Sequence, residues 1–254
     1  MEDKTPQLII ILPVQAFILF TIHDSRLPTA DCRFKVRTIV LLNCSIKGKF
    51  APATFSTLGI VTMILPIVAY GTPILREVAK DIEPDYPGLA KLIDDMWETM
   101  YASNGVGLAA PQINRDIRLF IIDSRQVFEN QDEEDKGKYP DEPGFKQVFI
   151  NAHVTSLNGK EWAYNEGCLS IPKIREDVVR NETVTLEYVD ENFQPHTQTF
   201  NGISARIILH EYDHIEGKLF IDYLKPLKKK LLKGKLDDIS RGKVKVDYKM
   251  VFPK

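Results

Sequence analysis

The pattern H-E-x-x-H, formed by His210, Glu211 and His214, has the residue types and spacing of a metal site. On a helix, side chains four positions apart lie on one face, so the two imidazoles can bind one metal ion. Glu211 lies beside them, where a carboxylate can exchange a proton with a water molecule. Residues 203–216 have apolar side chains at helical spacing and precede Gly217, which predicts the required helix. The pattern therefore predicts a metal centre with hydrolytic chemistry.

A hydrolytic centre of this kind needs a third protein ligand and one open position. No histidine follows His214, which leaves two candidates. Cys168, in the segment EGCLS, would give a ligand set of one thiolate and two imidazoles. Asp222 would instead give a zinc endopeptidase in which Cys168 is free. A third interpretation is a metal-stabilised binding domain without catalysis.

The segment 105–112, GVGLAAPQ, combines small residues with one side-chain amide. Glycine lets a ligand approach the backbone closely, and Gln112 offers both a donor and an acceptor. Local chemistry by itself favours a plain connection between a helix and a strand.

In this order, GVGLAAPQ, EGCLS and HEYDH resemble the three signature motifs of the peptide deformylases, over residues 63–240. The resemblance implies an enzyme that removes the formyl group from N-formylmethionine at the start of new proteins, releasing formate. It implies that Cys168, His210 and His214 bind the metal, commonly iron (Fe2+), with zinc (Zn2+) or another divalent ion able to occupy the site. Glu211 matches the general acid/base.

The resemblance also implies which groups meet the substrate. Gln112 and the backbone N–H of Leu169 match the groups that stabilise the oxyanion. The expected substrate contacts are Val106, Gly107, Glu166, Arg175 and Ile207. One departure is Leu209, where the family usually has glutamine. This position is not a ligand, so the expected metal set is unaffected.

The hydrophobic pattern predicts an α+β domain of mostly antiparallel strands around the metal-binding helix. Further helices are expected over 89–104 and over 225–235, where Leu224, Leu227, Leu231 and Leu232 are spaced for an amphipathic helix. The predicted strands are 117–123, 147–151, 183–190, 196–200 and a terminal strand within 243–252. Residues 127–145 are charged and rich in Pro and Gly, which is typical of a long surface loop.

Composition divides the 254-residue chain into two parts. Residues 1–62 carry seven basic and four acidic side chains, whereas the rest carries 26 basic and 31 acidic ones. This difference, and a family-like start at Met63, predict a catalytic domain over 63–254 with a basic C-terminal segment, 225–254. The N-terminal extension 1–62 is expected to be disordered or not translated. The hydrophobic content of 44% excludes global disorder.

Three cysteines without a CxxC pair indicate a reducing compartment. The apolar run Leu8–Ile22 is shorter than a membrane helix and follows a net acidic start. We therefore expect a cytoplasmic protein without membrane association. Residues 225–235 contain six lysines and no acid. Because some deformylases dock near the ribosomal exit tunnel through a basic helix, this segment leads to the hypothesis of ribosome contact, without a stable nucleic-acid complex.

Overall fold

The computed structural model describes residues 62–130, 137, 141 and 143–253. Residues 1–61, which contain almost all of the predicted extension, and much of the charged segment 127–145 lie outside this description. Four α-helices are described: α1 (Leu89–Ala102), α2 (Arg125–Glu129), α3 (Gly202–Ile215) and α4 (Pro226–Ser240). Short 3-10 helices cover Pro73–Arg76, Ala110–Ile113 and Phe220–Tyr223.

Seven strands form two sheets in the described part of the chain. They are β1 (Ile67–Val68), β2 (Gly107–Ala109), β3 (Leu119–Asp123), β4 (Lys146–Cys168), β5 (Ile171–Val189), β6 (Pro195–Asn201) and β7 (Met250–Val251). The larger sheet has the order β2-β3-β4-β5-β6, and each neighbouring pair is antiparallel. The smaller sheet pairs β1 with β7 in parallel. This mixture of helices and antiparallel sheet agrees with the predicted α+β class.

Strands β4 and β5 are much longer than the sequence pattern predicted, with 23 and 19 residues. They form a ribbon whose register shifts at several points, including Asn158/Glu161. Each shift moves the following side chains to the other face, which breaks the alternation of period two. Much of the outer ribbon is also exposed on both faces. The predicted segments 147–151 and 183–190 are therefore only the regular, buried ends of these strands.

Helix α3 packs its apolar residues against the sheet, and this packing fixes the helix in place. Its isoleucines share a core with Phe120 and Phe149, whose rings stack 4.7 Å apart. The start of the helix is capped by a residue remote in sequence, since Asp141 accepts a hydrogen bond of 2.6 Å from the Ser204 N–H. A cap contributes about 1 kcal/mol, whereas each large buried apolar side chain contributes roughly 1.5–3 kcal/mol. Packing against the sheet therefore dominates the placement of α3.

Helix α4 corresponds to the predicted helix over 225–235 and begins with Pro226, which fits the first helical position. The predicted apolar stripe is partly wrong, because Leu227 and Leu231 are 70% and 69% exposed. The buried face instead follows a later stripe at helical spacing, formed by Leu232, Leu236 and Ile239. Of the terminal strand predicted within 243–252, only β7 (Met250–Val251) is a strand in the structure. No helix in the described ranges is long and apolar enough to cross a bilayer.

Candidate metal centre and active site

The structure brings together the three residues that the sequence predicted as metal ligands, from β4 and α3. Cys168 ends β4, and His210 and His214 lie on one face of α3. One ligand atom from each of the three residues lies within 4.8 Å of the others, with Cys168 Sγ 3.2 Å from His214 Nε2. Burial lowers the pKa of His214 and so favours the neutral imidazole that binds metals, whereas hydrogen bonds with Cys168 and Glu166 outweigh burial and raise the pKa of His210. This donor set fits one divalent ion with an open fourth position.

Glu166 fixes the orientation of the His210 ring. Its Oε2 lies 2.9 Å from His210 Nδ1, which leaves Nε2 of that ring for a metal. Burial opposes ionisation, but hydrogen bonds from His210 and Arg180 hold the pKa of Glu166 below its usual range. Arg206 Nη1 adds a bond of 3.0 Å. Glu166 lines the cleft as expected for a substrate contact, yet its carboxylate oxygens are engaged by these protein groups.

Arg180 extends this buried charged cluster away from the cleft. Its Nε donates to Glu166 at 2.7 Å, and its Nη1 donates to Asp213 at 2.6 Å. Asp213 also accepts a bond of 2.8 Å from the hydroxyl of Tyr223. With Arg206, the cluster balances two guanidinium groups against two carboxylates, which offsets the cost of burying four charges.

Glu211 is a buried carboxylate that lines the same cleft as Cys168 and His210. It is 4% exposed, and its Oε2 has no hydrogen-bond partner among the described residues. Burial raises the pKa of Glu211 to about 7. A carboxylate with a pKa near neutrality can both accept and return a proton at physiological pH.

Gly107 on β2 provides the space that Glu211 occupies. A Cβ atom at this position would lie 2.5 Å from Glu211 Oε1 and 2.7 Å from Glu211 Cγ. Any larger residue would therefore displace the carboxylate. The sequence predicted that a ligand would come close to this glycine. In the structure, the Glu211 side chain makes that close approach.

The Gln112 side chain is fixed with its amide nitrogen toward the centre. Its Oε1 accepts a bond of 2.8 Å from the Ala109 N–H, which settles the orientation of the amide. Its Nε2 then lies 3.6 Å from Cys168 Sγ and 3.5 Å from Ser170 Oγ. Gln112 is buried in the 3-10 helix that follows β2, so the donor is rigidly placed.

The remaining predicted residues line one cleft of about 500 Å³ next to the ligands. Val106, Leu169 and Ile207 contribute apolar surface. Arg175 is exposed and donates to the Asn165 side chain at 2.8 Å and to the Asn165 carbonyl at 2.6 Å. The structure therefore brings every predicted site residue to this cleft or its immediate border.

Asp222, the alternative third ligand, is placed elsewhere. Its carboxylate pairs with Arg76 and accepts a bond of 2.8 Å from the Leu219 N–H at the start of a 3-10 helix. It is not among the groups whose ligand atoms converge on one point in the described residues. Leu209, the departure from the family pattern, is buried in the core beneath α3.

Sequence reasoning missed the buried charges and one aromatic residue at the cleft. Arg206 is the one charged residue between Gly202 and Leu209, in the apolar half of α3. This position indicates a buried guanidinium that is paired with a carboxylate. Arg180 and Asp213 gave no comparable pattern. Tyr248 lines the cleft. Near the C-terminus, Val246 and Tyr248 alternate with charged residues, and this pattern of a one-sided strand was the available signal.

A cysteine sulfur and two imidazoles around one point, with a buried carboxylate of near-neutral pKa in the same cleft, are typical of a metal-dependent hydrolase. The sequence profile described as Polypeptide deformylase matches residues 64–230. The chain belongs to this family, whose members are enzymes that remove the N-formyl group from the N-terminal methionine of nascent peptides.

Individual relatives agree with this assignment. The chain is 53% identical to a peptide deformylase of Christiangramia forsetii over 191 residues, which covers 75% of this chain and 97% of that protein. It is 52% identical to one of Flavobacterium johnsoniae, covering 75% and 96%. Among solved structures, a Legionella pneumophila peptide deformylase has a TM-score of 0.58 at 38% identity, covering 71% of this chain and 97% of that one.

Proposed function

We propose that the residues converging on this cleft carry out deformylation in the following roles. Cys168, His210 and His214 hold the metal, which we take to be Fe2+, with Zn2+ or another divalent ion able to replace it. When bound, such an ion supplies Lewis acidity and lowers the pKa of a coordinated water toward ~7. The observation that carries the proposal is the position of Glu211, which is buried, has one carboxylate oxygen without a partner among the described residues, and lines the same cleft as Cys168 and His210.

Glu211 acts as the general acid/base. Its carboxylate accepts the proton of the attacking water and passes it to the nitrogen of the departing amine. Burial raises the pKa of Glu211 to about 7, so neither proton transfer has a large free-energy cost near neutral pH. The Glu166 carboxylate cannot replace it, because its oxygens are engaged by His210 and the two arginines.

Gln112 and Leu169 stabilise the negative charge that develops on the formyl oxygen. The Gln112 amide is preorganised by its bond to Ala109, so its Nε2 loses little freedom when it binds the oxygen. The Leu169 N–H is the second donor. A donor of this kind is worth roughly 3 kcal/mol in the transition state.

The substrates that we propose are N-formylmethionyl nascent peptides. Val106, Leu169 and Ile207 give the cleft an apolar lining for the methionine side chain. The backbone of Gly107, on the edge strand β2, can pair with an extended peptide. Arg175 is exposed at the border of the cleft, where the later part of the peptide would leave.

Formate release from formyl-Met-Ala by metal-loaded protein tests this proposal. Glu211→Gln should abolish turnover and keep the metal, because the ligands are unchanged. Cys168→Ser should reduce metal content and activity together. Retention of metal and cleavage of internal peptide bonds by Cys168→Ser would support the endopeptidase interpretation instead. Metal analysis of anaerobically purified protein decides between iron and zinc.

We also propose that the protein works in the cytoplasm and contacts the ribosome transiently through residues 225–235, without a stable nucleic-acid complex or membrane association. Helix α4 supports this because it carries lysines together with exposed Leu227 and Leu231. Phosphate-rich RNA attracts such a cluster, in a salt-dependent way. Replacing the six lysines by glutamine should reduce co-sedimentation with ribosomes and leave formate release unchanged. Equal co-sedimentation would contradict the contact.

A further inference from the structure

The C-terminal segment, residues 244–252, forms part of the wall of the cleft. Val246, Asp247 and Tyr248 line the same cleft as the metal ligands. The segment is held by its pairing with β1, since the Ile67 N–H donates to Lys249 O at 2.9 Å. It is therefore a fixed part of the site.

Tyr248 joins this segment to the turn that follows the cysteine ligand. Its hydroxyl donates to the carbonyl oxygen of Leu169 at 2.7 Å. The next carbonyl, that of Ser170, accepts a bond of 2.8 Å from the Tyr70 N–H. Both carbonyls of the turn between β4 and β5 are thus bound by residues outside that hairpin.

These bonds restrain the backbone on the C-terminal side of Leu169. On its N-terminal side, Leu169 follows Cys168, whose position is set by the metal site. On its C-terminal side, the peptide plane is held by the Tyr248 hydroxyl. Burial raises the pKa of Tyr248, so this hydroxyl remains protonated and continues to donate.

We propose that Tyr248 is a positioning residue for deformylation: its hydroxyl holds the carbonyl of Leu169 and, with Cys168 held on the other side, restrains the backbone torsions of Leu169 that set the direction of its N–H toward the formyl oxygen. The inference rests on the proposed function, in which that N–H stabilises the oxyanion. It makes the C-terminal segment a component of the catalytic site, although no atom of Tyr248 reacts.

The test compares Tyr248→Phe with Tyr188→Phe in the metal-loaded full chain. Both changes remove one phenolic hydroxyl and retain the ring. Tyr188 is a control remote from the site: its hydroxyl donates to Gln198 at 2.8 Å and accepts a bond from Gln147 Nε2, and it does not line the cleft. The measurements are kcat and KM for formyl-Met-Ala, metal content, melting temperature and the visible spectrum of the cobalt-substituted protein.

For Tyr248→Phe we expect kcat to fall about tenfold, the factor expected for about one hydrogen bond. KM should stay within about twofold, since the donor acts mainly in the transition state. Metal content and the cobalt spectrum should match the wild type, and the change in melting temperature should be no larger than in Tyr188→Phe. The control should keep the wild-type kcat.

Three outcomes would overturn the inference. The first is a wild-type kcat in Tyr248→Phe, and the second is a rise in KM alone. The third is a loss of kcat that is accompanied by loss of metal, or by a larger fall in melting temperature than the control shows. If the wild type released no formate, the proposed function and this inference would fall together. An active wild type with an unaffected Tyr248→Phe would remove the inference alone.

Discussion

The contact between Gly107 and Glu211 gives a prediction whose size can be worked out from distances. In Gly107→Ala the new Cβ would lie 2.5 Å from Glu211 Oε1, 2.7 Å from Cγ and 2.8 Å from Cδ. Carbon atoms in favourable contact are about 3.5–4.0 Å apart. The Glu211 side chain must therefore retreat by about 1 Å, since the backbone of β2 is held in the sheet by β3.

A displacement of about 1 Å at a reacting group can cost about 10²-fold in rate. We therefore expect Gly107→Ala to lower kcat for formate release about a hundredfold while the metal content stays that of the wild type. Crowding should also reduce the free energy of unfolding by about 1–3 kcal/mol. A rise in KM with unchanged kcat would indicate that the methyl group blocks peptide pairing and leaves Glu211 in place.

Gly234→Ala provides the control for the same chemical change. Gly234 lies in α4, and a Cβ there would meet no heavy atom within 4 Å apart from its chain neighbours and the nearby backbone of its own helix. This variant should keep full activity and gain up to about 1 kcal/mol, because alanine favours a helix over glycine. Wild-type kinetics in Gly107→Ala would refute the reasoning, since these distances leave no room for the methyl group beside an undisturbed Glu211.

Further predictions concern the supporting structure. Glu166→Gln removes one charge from the buried cluster and should weaken metal affinity about 10- to 100-fold, measured by chelator competition, with about 3–5 kcal/mol of stability lost. Asp141→Ala should cost about 1 kcal/mol in denaturant unfolding because α3 loses its cap. Hydrogen bonds from Arg125 and Tyr101 outweigh burial and lower the pKa of Asp123. The ionised carboxylate therefore contributes its full share to the free energy of unfolding above the unfolded pKa of about 4. This contribution is lost as the pH falls through the folded pKa. Asp123→Asn should flatten this acid dependence. A protein of residues 63–254 should fold and keep the wild-type kcat.

The candidate site was predictable from sequence where spacing within one element carries the geometry. In H-E-x-x-H, the helix itself places His210 and His214 on one face, so four residues of separation are sufficient. The choice between Cys168 and Asp222 could not be made from local chemistry, because neither residue lies on α3, whose spacing carries the motif. It required the resemblance of three motifs in order, and the structure brings Cys168 to the histidines while Asp222 pairs with Arg76.

The fold was predictable where the pattern is regular. The helices α1 and α3 were expected to within about two residues, because their apolar stripes follow one period. The β4–β5 ribbon was underestimated, since shifts of register and exposure on both faces erase the alternation on which strand prediction depends.

The sequence by itself determined the family and the α+β class, and it predicted the metal ligands and the acid/base glutamate, because these depend on residue identity, local periodicity and the order of three motifs. Only the tertiary structure decided how the buried charges are balanced and which groups hold the ligands and the Leu169 backbone in place. Arg180 and Arg206 meet Glu166 across 14 and 40 residues of chain, and Tyr248 reaches Leu169 across 79. Such contacts depend on how separate elements pack, and no local pattern encodes the distance between them.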